Sequence, residues 1–296
     1  MGHLQLAPGA HVFLRGPGAV QFGLDATRAG VIETDSATGI VAGLLVARRP
    51  TSRARLEEGL ILAGLSAPAA RSLLDDLVVY RILRPVPRAS VILLGRGRLA
   101  ELTAELLRRS RVTVRSPLRG ESELAYLAGS DIDVPVLVVD RIAHARTMAP
   151  LLTRFARTWL PGAVVDARGL VGPLHLDGAG PCPLCVELHR TDTDGHWHRV
   201  VTQLPGGPVN PDPVVVAATA AQLTAAALAL VGVPEPPGTP RRVPAAGEVT
   251  EVDPYTLDRR HRLATHPRCP VCFTLRPPGR REVYRKLESA SSSPAP

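Results

Sequence analysis

The chain has 296 residues, which is enough for two domains that each bury a hydrophobic core. Apolar residues make up 45% of it and charged residues 21%, a balance typical of folded globular proteins that excludes wholesale disorder. The net charge of +8 comes almost entirely from arginine, and it permits binding to acidic peptides or to nucleic acids.

Residues 1–86 are predicted to form a small α+β domain with the element order of a winged helix. The predicted strands are residues 11–14, 20–24, 30–33 and 82–86, and the predicted helices are residues 37–47, 53–63 and 67–80. Thr51 or Ser52 can cap the second helix and Ser66 the third, because a hydroxyl oxygen accepts hydrogen bonds from the free N–H groups of a first turn. The pattern therefore indicates a separate N-terminal domain.

Strands alternate with helices in the next part of the chain. The predicted strands are residues 90–94, 111–115, 134–140 and 163–165, with one helix ending near residue 109 and another over residues 143–159. This alternation predicts a parallel sheet with right-handed crossovers. The predicted fold class is therefore α/β, with a Rossmann-like sheet domain after the small domain.

The rest of the second domain, which we place at residues 90–276, is predicted to complete this sheet. Residues 169–176 are expected to form an edge strand, residues 211–231 a long Ala-rich helix, and residues 247–252 and 256–263 a hairpin. Residues 277–296 are basic and rich in Ser and Pro, which predicts a disordered tail.

The sequence indicates a cytoplasmic protein. Its first residues lack the charged and then apolar pattern of a signal segment. The longest apolar stretch, residues 214–233, reaches membrane-spanning length, but its Thr219, Gln222 and Thr224 favour a buried helix. We therefore expect no membrane partner and reduced cysteines.

Four cysteines form two matched pairs, Cys182-Pro-Leu-Cys185 and Cys269-Pro-Val-Cys272. A two-residue gap lets both thiolates of a pair face one point, and two such pairs complete the tetrahedral sulfur shell of structural zinc. The alternatives are reduced structural cysteines or a redox pair, and His266 is a candidate substitute ligand. We predict a structural zinc ion held by the four cysteines.

A glycine turn, Gly95-x-Gly97-x-x-Ala100, follows one predicted strand and opens a helix. Turns of this kind hold nucleotide phosphates at a helix N-terminus. The next strand, however, ends without the carboxylate that a ribose needs. A tight turn kept for packing explains the same residues, so both interpretations stay open.

Residues 90–273 resemble the ThiF-type adenylyltransferase family, which has the fold of ubiquitin-activating enzymes. The resemblance follows the order of the glycine turn, Val138-Val139-Asp140, Gly180-Pro-Cys-Pro-Leu-Cys185, the Ala-rich helix and His266-Pro-Arg-Cys-Pro-Val-Cys272. It implies a Rossmann-like domain in which the two cysteine pairs hold a structural zinc ion, with Gly95, Gly97 and Asp140 at a vestigial nucleotide site.

Residues 1–86 resemble the PqqD-like winged-helix element that recognises peptides. Together the two halves look like the leader-peptide-binding component of thiazole/oxazole (bacteriocin) cyclodehydratases, as does the stretch Cys185-Val-Glu-Leu-His-Arg-Thr-Asp192. The resemblance implies that the chain binds a leader peptide as an added strand and presents it to a partner, for example a YcaO-type enzyme.

Adenylating members of the family use ATP and magnesium, held by an Asp-x-x-Asp-Asn run. Here Asp140-Arg-Ile-Ala143-His144 places Ala143 and His144 at the second Asp and the Asn. The single lysine, Lys286, lies in the tail, and the single asparagine, Asn210, lies far along the chain. Because alanine cannot bind magnesium, we expect a pseudoenzyme with no catalytic residues.

The favoured function is therefore peptide binding without catalysis, and a homodimer through the sheet domain is expected. The alternative is an active ATP-dependent adenylyltransferase whose catalytic groups are displaced. A winged-helix nucleic-acid-binding protein ranks third, because the expected recognition helix carries Asp75 and Asp76 but only one arginine, Arg71.

Overall fold

The computed structural model describes residues 2–274, and the predicted tail at 277–296 lies outside these residues. The chain divides into two compact units. The first contains residues up to 89 together with 109–113 and 228–243. The second contains residues 90–108, 114–227 and the described part of the chain from 244 onwards.

The first unit contains six strands and four helices. In chain order they are β1 (His3–Leu6), β2 (Val12–Leu14), β3 (Ala19–Phe22), α1 (Ala26–Ala29), β4 (Val31–Glu33), α2 (Ala37–Leu45), β5 (Thr51–Ser52), α3 (Arg53–Leu62), α4 (Ala67–Val79) and β6 (Leu83–Pro85). Every helix and strand predicted in this region is present, and β1, α1 and β5 are additional. The three additional elements span at most four residues each.

Two small antiparallel sheets form around one core in the first unit. Their strand orders are β5-β1-β6 and β2-β3-β4. Leu44, Leu60 and Leu74, one from each of α2, α3 and α4, are fully buried in the core. The Ser52 and Ser66 hydroxyls accept hydrogen bonds from the first turns of α3 and α4, as predicted.

Residues 228–243 join the first unit although they are distant in sequence. The Arg81 guanidinium lies 3.1 Å from a Glu235 carboxylate oxygen. It also donates to the Thr239 carbonyl oxygen, and Arg28 donates to the Gly238 carbonyl oxygen at 3.0 Å. This proline-rich segment is therefore held by arginines of the N-terminal region.

The second unit contains the large sheet. Its elements in chain order are β7 (Ser90–Leu94), α5 (Arg98–Arg109), β8 (Thr113–Arg115), α6 (Glu123–Ala128), β9 (Val136–Val139), α7 (Ala145–Phe155), β10 (Trp159–Val165), β11 (Arg168–Val171), α8 (Pro183–Thr193), α9 (Trp197–Val201), α10 (Pro213–Leu230), β12 (Glu248–Val252), β13 (Arg259–Arg262) and α11 (Pro270–Thr274). Sheet order is β13-β12-β11-β10-β9-β7-β8. Strands β7, β9 and β10 run parallel, while β10 to β13 form an antiparallel run.

Two expectations for this sheet were wrong. The segment predicted as an edge strand forms β11, which lies between β10 and β12 because the 247–263 hairpin adds to its outer side. Trp159, predicted at the end of a helix, begins β10, because the chain becomes extended at Ala156. The predicted α/β class is confirmed, as a mixed rather than a wholly parallel sheet.

Helix α10 is long and apolar enough to span a membrane by length and composition. Here it packs on the sheet, and glycines in β10 and β11 make room for it. A Cβ on Gly162 would lie 2.5 Å from a Leu223 methyl group, and a Cβ on Gly169 would overlap Thr219. These contacts favour the buried-helix interpretation of this stretch.

Candidate functional site

The two cysteine pairs meet in the core of the second unit. The Cys182 sulfur lies 3.8 Å from that of Cys185 and 3.5 Å from that of Cys269, and the Cys185 and Cys272 sulfurs are 3.5 Å apart. All four sulfurs lie within 4.8 Å of one another, and all four residues are buried. Four thiols from distant parts of the sequence thus face one point.

Both pairs have the same local structure. Cys182 and Cys269 each directly precede a helix whose first residue is a proline, and Cys185 and Cys272 lie in the first turns of those helices. Proline suits the first helical position because its fixed φ fits the helix. An N–H at that position would have no acceptor within the helix, so proline, which has none, loses no hydrogen bond there. The N-terminal end of α8 also favours negative charge on the sulfurs.

The spacing of the sulfurs suits a tetrahedral metal ion. A zinc–sulfur bond of about 2.3 Å implies about 3.8 Å between sulfurs in a tetrahedron, close to the 3.5 to 3.8 Å between neighbouring sulfurs here. Among residues 2–274, no histidine or carboxylate belongs to this cluster. The four cysteines can therefore hold a metal ion such as zinc.

The thiols influence one another's ionisation. Hydrogen bonds with Cys182 and then Cys185 lower the pKa of Cys272 to about 4. Hydrogen bonds with Cys185 and then Cys272 raise the pKa of Cys182. Because four thiolates this close repel one another, full ionisation needs a cation among them.

Hydrogen bonds among His266, Arg268 and Asp192 link the second cysteine pair to helix α8, which begins at the first pair. The buried His266 ring binds a carboxylate oxygen of Asp192 through Nε2 at 2.9 Å, and its Nδ1 accepts the Arg268 N–H at 3.2 Å. Arg268 also donates to Asp192. Since both His266 nitrogens are used, the histidine braces the site and is not a fifth donor.

The glycine turn and Asp140 lie at the same edge of the sheet. Gly95 has φ of 132°, and a Cβ there would overlap the Val139 carbonyl oxygen. Gly97 has φ of 110° with open space beside its Cα. Close packing on β9 therefore explains why residue 95 is a glycine. The open space at Gly97 is compatible both with a phosphate-binding turn and with a tight turn kept for packing.

Asp140 lies at the carboxyl end of β9. Its carboxylate accepts the Val164 N–H at 3.2 Å, and burial raises its pKa to about 6. It borders a cavity of about 450 Å³, together with Asp166 and Asn210. The cavity's lining includes neither glycine of the turn and no arginine or lysine.

This cavity differs from the nucleotide site suggested by the sequence. Asn210, which is remote in sequence, reaches the same cavity as Asp140. Ala143 and His144 lie in a short 3-10 helix (Ile142–His144) that begins two residues after Asp140. The charged side chains that border the cavity are two carboxylates, which do not neutralise phosphate groups.

The first unit offers an open strand edge at β4, the outer strand of the sheet β2-β3-β4. The Thr34 N–H donates to the Gly18 carbonyl just before β3, and the Gly30 carbonyl accepts from the Phe22 N–H at the end of β3. Such bonds alternate along an antiparallel strand. The backbone groups of Val31 and Glu33 therefore point away from β3. The Val31 side chain is exposed, so this edge can accept another strand.

The fold resembles solved heterocyclase structures. A heterocyclase in complex with substrate and cofactor matches with a TM-score of 0.56 at 17% identity, over 92% of this chain and 40% of that one. The heterocyclase TruD matches with a TM-score of 0.53 at 16% identity, over 92% and 43%. This chain thus spans about two fifths of the length of either heterocyclase.

E. coli MccB with succinimide gives a TM-score of 0.47 at 13% identity, over 92% of this chain and 99% of that one. No protein-family model matches the sequence, and a comparison with curated proteins finds no match. The two heterocyclase matches confirm the expected likeness to the cyclodehydratase branch at the level of the fold.

Two functional groups were not recognised in the sequence. The sequence does not connect Asp192 with the second cysteine pair, and it places Asn210 far from Asp140. A carboxylate one helix away from a cysteine pair gives no local signal. The bond between His266 and Asp192 and the cavity shared by Asn210 and Asp140 depend on how α8 and the 194–212 segment pack.

Proposed function

We propose that this chain is a non-catalytic, ThiF-like protein that binds a leader peptide and presents it to a partner modifying enzyme. The observation that carries the proposal is the heterocyclase fold over 92% of the chain, combined with an open strand edge at β4. In this role the first unit acts as a PqqD-like winged-helix element. The partner is an enzyme of the YcaO type.

Peptide capture at β4 uses main-chain hydrogen bonds. The outward N–H and C=O groups of Val31 and Glu33 bind the backbone of an extended peptide, and neighbouring side chains select its sequence. Helix α2 packs against β2 and β3, which leaves β4 as the freer of the two edges. The net charge of +8 favours an acidic peptide.

The second unit acts as a scaffold in this proposal. Four cysteines hold one structural zinc ion, which joins segments 87 residues apart in sequence. The zinc supplies folding free energy and no open coordination position for chemistry. Reduced thiols are needed to bind it, which suits the cytoplasm.

Loss of catalysis is supported at the carboxyl end of β9. The cavity beside Asp140 has no cationic lining residue, and Ala143 follows where a magnesium carboxylate is needed. The competing function, ATP-dependent adenylation, requires tight ATP binding that depends on magnesium. Calorimetric titration of ATP with and without magnesium distinguishes the two, and we expect no magnesium-dependent binding.

Strand addition is tested with peptides selected from a displayed random library on the full-length protein. We expect the Val31→Pro variant to bind them at least about 10-fold more weakly, because proline removes an outward N–H without breaking a bond to β3. The matched control is Leu14→Pro on the outer side of β2. Equal binding by wild type and Val31→Pro would exclude capture at β4.

A pull-down from the native host identifies the partner enzyme. Light scattering over a range of concentrations tests the expected homodimer, and a monomer throughout would remove it from the proposal.

A further inference from the structure

Strand β13 lies at one end of the large sheet and consists of four basic residues in a row. Among residues 2–274, only β12 pairs with it. Its residues Arg259, Arg260, His261 and Arg262 are all exposed. An exposed edge strand presents unpaired backbone groups to which another strand can add.

The backbone of β13 has outward-facing groups at Arg260 and Arg262. The Leu263 N–H donates to the Gly247 carbonyl oxygen at 2.8 Å, on the side where β12 lies. Hydrogen-bonded positions alternate along an antiparallel pair, so every second residue counted back from Leu263 bonds to β12. The N–H and C=O groups of Arg260 and Arg262 therefore point away from the sheet.

The arginines of β13 lie on both faces of the strand. Successive side chains point to opposite faces, so Arg260 and Arg262 share one face and Arg259 lies on the other. Glu251 is opposite Arg259 in the strand register, but it lies 3.7 Å from Arg168 instead. In the described part of the chain, none of the three β13 arginines forms an ion pair with a carboxylate. Three unpaired guanidinium groups thus flank the open edge.

The positive charge limits which chains can add to this edge. A second copy of β13 would place arginine against arginine, and like charges directly opposite each other are unfavourable. Beyond residue 274 the sequence has five basic and only two acidic residues, so this segment does not complement the edge either. An acidic segment does, because guanidinium groups bind carboxylates through two parallel hydrogen bonds.

The open backbone favours a polypeptide over other anionic partners. Alternating N–H and C=O groups match the backbone of an extended peptide. Nucleic acids also attract arginines, but their phosphate backbone supplies no such pattern of donors and acceptors. Because arginines lie on both faces, carboxylates at consecutive positions reach all of them, whereas an alternating pattern reaches one face only.

We propose that β13 binds an extended acidic segment of another protein as an eighth strand of this seven-stranded sheet. The outward groups of Arg260 and Arg262 pair with the backbone of the segment, and the guanidinium groups bind its consecutive carboxylates. Strand β13 belongs to the second unit and β4 to the first. This surface is therefore distinct from the leader-peptide edge, and its role does not depend on peptide capture there.

The test uses the full-length, zinc-loaded protein and fluorescently labelled peptides, with binding followed by fluorescence anisotropy. The acidic probe is Thr-Val-Glu-Glu-Glu-Glu-Val-Thr. One comparison peptide has glutamine in place of each glutamate, and the other keeps the glutamates but carries a methyl group on each of their backbone nitrogens. We expect binding of the acidic probe with a Kd of roughly 100 µM at about 0.1 M salt.

Both comparison peptides should bind at least about 10-fold more weakly than the acidic probe. The glutamine peptide loses its charges, and the methylated peptide loses the N–H groups that pair with β13.

Variants at the edge separate charge from backbone pairing. Arg260→Gln keeps the backbone N–H and should weaken binding about 3-fold. Arg260→Pro also removes the outward N–H without breaking a bond to β12, and should weaken binding about 10-fold further. The double variant Arg260→Glu, Arg262→Glu should weaken binding at least about 10-fold through charge repulsion.

A matched control makes the same change of charge elsewhere in the second unit. Arg115 lies in β8, at the opposite edge of the sheet, and Arg119 follows it in the next loop. Both are exposed, as are the β13 arginines, so these variants should fold. The double variant Arg115→Glu, Arg119→Glu should weaken binding less than about 3-fold, because only long-range charge changes.

Four results would overturn the proposal. The first is a comparison peptide that binds as tightly as the acidic probe, and the second is equal binding by the β13 variants and the β8 control. The third is loss of binding in Val31→Pro, which would place the acidic peptide at β4. The fourth is tighter binding of a labelled single-stranded oligonucleotide with the same number of charges, which would assign the arginines to nucleic acid.

Discussion

The cysteine cluster and the Asp140 edge of the sheet lie in the same unit. They differ in how many of the residues expected at each site are present. At the cluster, four buried sulfurs lie within 4.8 Å of one another. At the Asp140 edge the glycine turn is present, but no arginine or lysine lines the cavity, and Ala143 stands where the family resemblance predicts a magnesium-binding carboxylate. The comparison shows a candidate metal site with all four expected donors beside a sheet edge that lacks residues expected for nucleotide chemistry.

The largest expected effect is loss of the candidate zinc site. Cys182→Ser or Cys272→Ser should abolish metal binding and the cooperative unfolding transition, since a structural zinc ion contributes on the order of 10 kcal/mol of folding free energy. Metal analysis should give about one zinc per wild-type chain, and circular dichroism reports the transition. Chelation of wild-type protein should have the same effect, reversed by zinc but not magnesium. Unchanged stability after metal removal would show that the cysteines are only core residues.

The next largest effect is a difference in stability between alanine substitutions at the two glycines of the turn. Gly95→Ala should destabilise the protein by about 3 kcal/mol, because a Cβ overlaps the Val139 carbonyl oxygen and φ is positive. Gly97→Ala has open space and should cost only about 1 kcal/mol through its positive φ. Urea unfolding measures both. Equal effects would contradict a packing role specific to Gly95.

A smaller effect is expected at the brace beside the cysteines. His266→Ala should lower stability by about 2 kcal/mol, because it leaves a buried space and removes the bond to Asp192. Zinc affinity should fall about 10-fold or more. In a double-mutant cycle with Asp192→Ala, the two effects should be less than additive. Strict additivity would show that the contact contributes nothing.

The smallest effect concerns the Asp140 edge. Burial raises the folded-state pKa of Asp140 to about 6 from its usual 3.8, so ionisation opposes folding. Wild-type stability should therefore fall as pH rises from 5 to about 7.5, by about 1 kcal/mol after allowance for solvent screening, relative to Asp140→Asn. The exposed Asp166→Asn serves as the control. Parallel pH profiles of wild type and Asp140→Asn would contradict this.

Local patterns in the sequence were sufficient for most elements. The predicted helices capped by Ser52 and Ser66 are present, and β7 has the predicted bounds. The Cys-Pro-x-Cys pairs were recognisable because their spacing is itself local. Short elements were predicted unevenly: β2, β4 and β6 were recognised, whereas β1, α1 and β5 were missed.

The sequence by itself determined the composition of the candidate metal site, since its donors are the chain's four cysteines in two matched pairs. Only the tertiary structure decided that residues 87 apart contact one another, that Asn210 lines the same cavity as Asp140, and that residues 228–243 join the first unit. The physical reason is range: spacing and capping act within one helical turn, whereas these contacts depend on how whole helices and strands pack.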